Sequence, residues 1–275
     1  MQWSDLKALN AAETERLTML YGDAQSRIIA ALASATARGN DTAHLQSVRE
    51  QIAAILADLR DANAQWASEA VPNMYAAGAG LASGGFAGIH EQAAQILAEN
   101  AYAQFDTIAN VIGRQTDDYL RAIALDAITG PVFGAGTTNT AKSDIFTRLV
   151  QSGEGVIRTR ADDSTYLGFQ VSTDGKWWDM QTYAEMSART TLADTMRAGS
   201  MLRMGEAGID SFVVIGGADP CEDCQAVIDG GPYTAAEIDA MSADSGHFTG
   251  PNCCCDVSAD TAALDQANID LATEG

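Results

Sequence analysis

Ser211-Phe212-Val213-Val214-Ile215, followed by Asp219-Pro220-Cys221-Glu222-Asp223-Cys224, is the stretch on which the fold turns. The apolar, β-branched run reads as a strand, and its end delivers a Cys-x-x-Cys pair. Downstream lie His247 and Pro251-Asn252-Cys253-Cys254-Cys255, so all five cysteines fall within 35 residues. Two residues between Cys221 and Cys224 let both sulfurs face one ion from a tight turn. A distant His/Cys set then completes a tetrahedral shell. Cys253 and Cys255 alternate in an extended segment and can share a face, which three consecutive cysteines cannot do. The candidate metal ligands are therefore Cys221, Cys224, His247, Cys253 and Cys255, and structural zinc is the expected occupant. A disulfide from Cys221 or Cys224 to Cys253 or Cys255 is the alternative in an oxidising medium. Either would tie off the 26 residues Gln225 to Gly250, which contain Gly230-Gly231-Pro232 and little apolar mass.

Upstream of that strand, residues 155–160 and 166–171 read as two short strands, with a turn at Asp174-Gly175. A helix from about Met180 to Gly205 follows and carries five of the nine methionines. The first half reads differently. Leu17, Leu20, Ala24, Ile28, Ala31 and Leu32 keep helical spacing between about Ala12 and Ala37. Gly39-Asn40 breaks the chain, with Asp41 or Thr42 placed to cap the next helix. Leu45, Val48, Ile52, Ile55, Leu59, Ala62 and Trp66 then alternate by three and four. Tyr102, Phe105, Ala109, Ile112, Thr116, Tyr119 and Ile123 do the same in a third helix. Such seams pack helices at shallow angles. Pro72 to Gly88, rich in glycine, reads as an irregular connector, and residues 141–153 as one more short helix. The expected fold is α+β: a long-helix N-terminal half, residues 1–140, and a smaller mixed α/β module, residues 141–275, clasped by the Cys/His cluster.

The charge is strongly acidic, −21 in total, and uneven. Residues 1–150 carry 10 Lys/Arg against 16 Asp/Glu, whereas residues 151–275 carry 6 against 21; after Arg203 there is no Lys or Arg. Such a surface repels phosphate, so the C-terminal module is not expected to bind nucleic acid directly; a basic protein or divalent cations suit its sign. The segment Met1-Gln2-Trp3-Ser4-Asp5 lacks the basic and apolar regions of a secretory signal. The uncharged run Val71 to Ile89 is mostly Ala and Gly and contains Pro72, too weakly apolar to predict a membrane span.

Three catalytic readings of the cysteines are open to test; the first is rejected and the other two stand behind the clasp. A zinc deaminase needs His-x-Glu, but His44 precedes Leu45-Gln46 and His90 precedes Glu91-Gln92. A thioredoxin-like pair needs an easily formed thiolate, which Glu222 and Asp223 oppose; it also leaves Cys253 to Cys255 without a role. A Cys/His nucleophile with His247 lacks any sequence sign of an orienting group or oxyanion hole. Trp177, Trp178, Met180 and Tyr183 read as core, and Arg189 as a structural partner of Asp179, Glu185 or Asp194.

Gly175-Lys176-Trp177-Trp178-Asp179-Met180-Gln181-Thr182-Tyr183-Ala184-Glu185-Met186-Ser187-Ala188-Arg189-Thr190 resembles the signature of tailed-phage minor capsid proteins, the Mu F-like head morphogenesis family. The order that follows is similar too: the strand Phe212 to Ile215, the pair Cys221 and Cys224, the segment Gly230 to Tyr233, and Pro251-Asn252-Cys253. Pro72, Tyr75 and Gly78 resemble a step in the phage minor capsid protein 2 branch. The specific likeness spans roughly residues 150–258. It departs where Gly250 replaces the family's histidine, with His247 three residues earlier, and where Cys254 replaces a basic residue. The resemblance implies a virion structural protein that is not an enzyme. It would act at or near the portal in head assembly and in DNA packaging or retention, against portal, major capsid protein or its own copies. Its place would be the host cytoplasm during assembly and then the capsid. From the residues alone, the competing reading is a zinc-stabilised enzyme or a metal-clasped adaptor domain.

Overall fold

The fold is seen in a computed structural model that describes residues 3–37, 41–80, 88–129, 156–170, 176–216, 220–244, 253 and 255–260. It is α+β, with three long helices first and short strands among helices afterwards. The long helices are α1 (Trp3–Ala37), α2 (Thr42–Gly78) and α3 (Ile89–Thr129). The second half supplies β1 (Ile157–Thr159), β2 (Thr165–Gln170), β3 (Trp177–Asp179), α4 (Met180–Glu206), β4 (Phe212–Ile215), α5 (Glu222–Gly230), α6 (Ala235–Asp244) and β5 (Asp256–Ala259). The expected helix over 141–153, the turn at Asp174-Gly175 and the division at 140/141 lie outside the described residues.

The chain forms two compact units, each assembled from segments far apart in sequence. One comprises Glu15–Trp66 and Tyr102–Glu185. Its core is the expected pair of alternating seams: Leu45, Val48, Ile52, Ile55, Leu59 and Trp66 are buried, as are Phe105, Ala109, Ile112, Thr116, Tyr119 and Ile123. Leu17, Tyr21, Ile28 and Leu32 of α1 join them. Trp66 meets Phe105 edge to face, with ring centroids 5.4 Å apart. Tyr102 departs from expectation and is exposed, because the seam begins one step later at Phe105. Asp41 caps α2, its carboxylate accepting the His44 amide at 3.1 Å.

The same unit holds the antiparallel sheet β1-β2-β3. Ile157 pairs with Leu167 and Phe169 with Trp178, which puts the apolar members of each strand on one face. The Leu167 amide donates to Gln25 Oε1 at 3.2 Å, so a buried glutamine of α1 anchors the middle strand. Asp179 ends β3 and caps α4, accepting the amides of Gln181 and Thr182 at 2.9 and 3.1 Å. It also pairs with Arg160.

The other unit comprises Met1–Thr14, Ala67–Ala101 and Met186–Gly275. Here the connector reading needs correction. α2 continues through Pro72 to Gly78, because Val71, Met74 and Tyr75 are fully buried; that burial outweighs the backbone hydrogen bond a proline forfeits. Gly78 and Gly199 let α2 and α4 touch backbone to backbone. A Cβ at Gly78 would strike the Met196 carbonyl, and one at Gly199 the Tyr75 carbonyl. Buried His90 of α3 is hydrogen-bonded at both ring nitrogens, to Tyr75 Oη at 2.9 Å and Glu206 Oε2 at 2.9 Å.

Candidate metal centre

β4 and β5 pair antiparallel, Phe212 opposite Ala259 and Ile215 opposite Asp256. This register brings the chain just before Cys221 alongside the chain just after Cys255. Phe212 also exchanges two backbone hydrogen bonds with Tyr233, at 2.7 and 2.8 Å. Around this frame sits a small core of Phe212, Val214, Cys224, Ile238, Cys255 and Val257, flanked by Met201, Met204, Val227, Ile228, Tyr233, Met241 and Cys253. The segment expected as a bare loop is thus two short helices with apolar mass of their own. Their starts are legible in hindsight: Thr234 and Glu237 form a reciprocal cap, with Thr234 N–H to Glu237 Oε2 at 2.8 Å and Glu237 N–H to Thr234 Oγ1 at 3.3 Å.

Of the five candidate ligands, the fold brings three together. The sulfurs of Cys224, Cys253 and Cys255 all lie within 4.8 Å of one another. Cys224 and Cys253 are 3.8 Å apart, sulfur to sulfur. Four thiolates at about 2.3 Å from a tetrahedral zinc stand roughly 3.8 Å from each other, so this pair already has the spacing of a zinc thiolate edge. Cys224 and Cys255 are buried and Cys253 is half-buried. No disulfide joins the four described cysteines. His247 and Cys254 lie outside the described residues.

Cys221 is exposed and occupies the N-cap of α5 in an extended conformation, with no side-chain cap hydrogen bond. The nearby Cys224 backbone and thiol lower its pKa, opposed by desolvation and the Asp223 carboxylate. Burial drives the Cys224 thiol the other way, and its sulfur neighbours Cys221, Cys255 and Cys253 add to that rise. Burial makes a bare Cys224 thiolate costly here, and a bound dication would reverse that balance. The donor set therefore fits a thiophilic metal.

The sequence did not reveal Arg197. This α4 residue is buried, and its guanidinium donates to Asp194 at 2.7 Å and to the Cys255 carbonyl at 3.4 Å. It ties Cys255, the residue just ahead of β5, to the helix. Asp194 pairs with Arg197, and Asp179 with Arg160. Arg197 also lines a cavity of about 330 Å³ with Leu6, Met196, Ser200, Ile215 and Asp256.

Long seamed helices, a small sheet leading into α4, and a cysteine-bearing strand pair follow one another in the order that the sequence resemblance requires. No curated protein and no solved structure matches the chain. A family model, described as phage minor capsid protein 2, matches residues 2–253 and so takes in the helices, both sheets' leading strands and the chain up to Cys253. The chain belongs to the phage minor capsid protein 2 family and has the structural role in the virion that this family carries.

Proposed function

We propose that this protein is a minor component of the phage head that acts at or near the portal during assembly, and in DNA packaging or retention, without turning over a substrate. Family membership over residues 2–253 is the observation that carries the reading. Helix length supports it. α1, α2 and α3 have 35, 37 and 41 residues, a reach of roughly 50–60 Å at 1.5 Å per residue. Residues 1–140 are the docking and assembly region in this reading, and residues 141–275 the clasped module. Met19, Ile89 and Ile96 are exposed apolar positions on those helices, suited to contact with other protein. Partners are portal or major capsid protein, or further copies of the chain, encountered first in the host cytoplasm. The net charge of −21 favours protein or cation contacts over the DNA backbone. No helix of the described residues is long and apolar enough to cross a membrane.

Zinc, drawn from the ligands Cys221, Cys224, His247, Cys253 and Cys255, holds the C-terminal module as a structural clasp in this proposal. When bound it contributes folding energy and fixes β5 against α5. Cryo-electron microscopy of particles carrying a tagged copy tests the location. Signal confined to one vertex is the expected result; signal spread evenly over the shell overturns the portal assignment.

A further inference from the structure

We infer that the clasp is an all-sulfur centre in which Cys221, Cys224, Cys253 and Cys255 hold one thiophilic cation and His247 takes no part. This rests on the metal reading above and narrows it. Three sulfurs already converge within 4.8 Å, and the 3.8 Å between Cys224 and Cys253 equals one edge of a zinc tetrathiolate. The question is the fourth vertex.

Apolar packing closes one side. Cys224 and Cys255 are 3% and 5% exposed, among Phe212, Val214, Ile238 and Val257. The solvent side is where Cys221 stands. It is exposed and lies at the N-cap of α5, three residues ahead of Cys224 in the first turn of that helix. An exposed side chain can change its χ1 rotamer without repacking the core, and such a change is the movement the assignment requires of Cys221. A strand leading to a tight turn, with the second cysteine in the first helical turn, is the local geometry that lets two sulfurs share one ion.

Charge supports the assignment. Four thiolates around a dication leave a net −2, and two features near the site offset it. One is the amino end of α5, at whose cap Cys221 sits and in whose first turn Cys224 lies. The other is the buried Arg197 guanidinium, which donates to the Cys255 carbonyl. Thiolate softness selects zinc, cadmium or copper(I) over magnesium or calcium. A closed four-sulfur shell also has no position for an activated water, so the centre stabilises structure and does not hydrolyse.

The full-length chain, reduced and oxygen-free, is loaded with cobalt(II), whose visible spectrum reports tetrahedral geometry and whose sulfur-to-metal charge-transfer band scales with the number of thiolates. Wild type is expected to take up one cobalt with tetrahedral bands. Cys221→Ser should lower the charge-transfer band by about one quarter, and His247→Gln should leave both band and affinity unchanged. Because Cys221 is exposed, its serine variant should keep wild-type far-ultraviolet circular dichroism, which separates ligand loss from misfolding. An unchanged band in Cys221→Ser, or a shifted one in His247→Gln, overturns the all-sulfur assignment while leaving a metal clasp in place. No uptake by wild type removes the clasp itself, and this assignment with it.

Discussion

The seamed helices and the cysteine-bearing strands solve the same problem by different means. In the unit built from Glu15–Trp66 and Tyr102–Glu185, stability comes from area: rows of Leu, Ile, Val and aromatic side chains repeat every three or four residues over long helices. Each fully buried side chain contributes roughly 1.5–3 kcal/mol, and many such contributions add. The core around Phe212, Val214, Ile238 and Val257 has only a few such residues, two of them short strands' worth. A core that small gains from a cross-link: Arg197 holds the Cys255 carbonyl on one side, and the three sulfurs on the other are where the proposed metal would act. Regular repetition needs no staple; a small irregular core does.

The sharpest way to break this contrast is to challenge the proposed metal clasp with a chelator. A strong chelator should abolish hydrogen-exchange protection across Phe212–Ile215 and α5–α6, while Leu45–Leu59 stays protected. Structural zinc is worth about 10–16 kcal/mol in small zinc modules, so the loss should be complete for that core. Equal loss in both regions would show that the two are one cooperative unit. Truncating the other kind of core comes next. Phe105→Ala removes a ring that Tyr21 and Trp66 both contact and should cost about 3–5 kcal/mol in denaturant unfolding, with metal affinity unchanged. A drop in metal affinity would contradict the independence of the two cores.

Smaller effects sharpen the picture. Gly199→Ala sets a methyl group against the Tyr75 carbonyl, where neither backbone can yield, and should cost about 1–3 kcal/mol by thermal melt. Gly113→Ala makes an instructive control, since its new methyl meets only the flexible end of Leu56 at 3.2 Å. The smallest effect is on pH. The His90 hydrogen bond, then Arg203, lowers the Glu206 pKa below its ordinary 4.5. A depressed carboxyl contributes stability above its unfolded pKa and loses it as pH falls through the folded one. Acid unfolding below about pH 4.5 should therefore be steeper in wild type than in Glu206→Gln, compared by circular dichroism; parallel curves would show that the His90 contact carries no linkage.

Residue spacing alone made much of this fold legible. The alternation of Leu45 to Trp66 and of Phe105 to Ile123 implied seams, and the seams are buried. Asp41 as a cap, Met180 as a helix start and Phe212–Ile215 as a strand also follow from local chemistry. Legibility failed where burial overrode local preference. Pro72 and the adjacent alanines and glycines look like a break, yet α2 runs to Gly78 because Val71, Met74 and Tyr75 are sequestered. α1 begins at Trp3 rather than near Ala12, with no strong periodic signal in its first turns. α5 and α6 were hidden by short length, although the Thr234/Glu237 cap was available to be read.

By itself, the sequence determined the helical seams, the acidic charge, the family and the set of five residues from which a metal shell can be drawn. Only the tertiary structure decided which sulfurs meet. Cys224 lies 29 residues from Cys253 in the chain, and their 3.8 Å approach exists because β4 pairs with β5 and Arg197 holds the Cys255 carbonyl. Spacing along a chain fixes only what can share one turn of helix or one face of a strand; a contact across 29 residues depends on register and burial, which belong to the folded molecule alone.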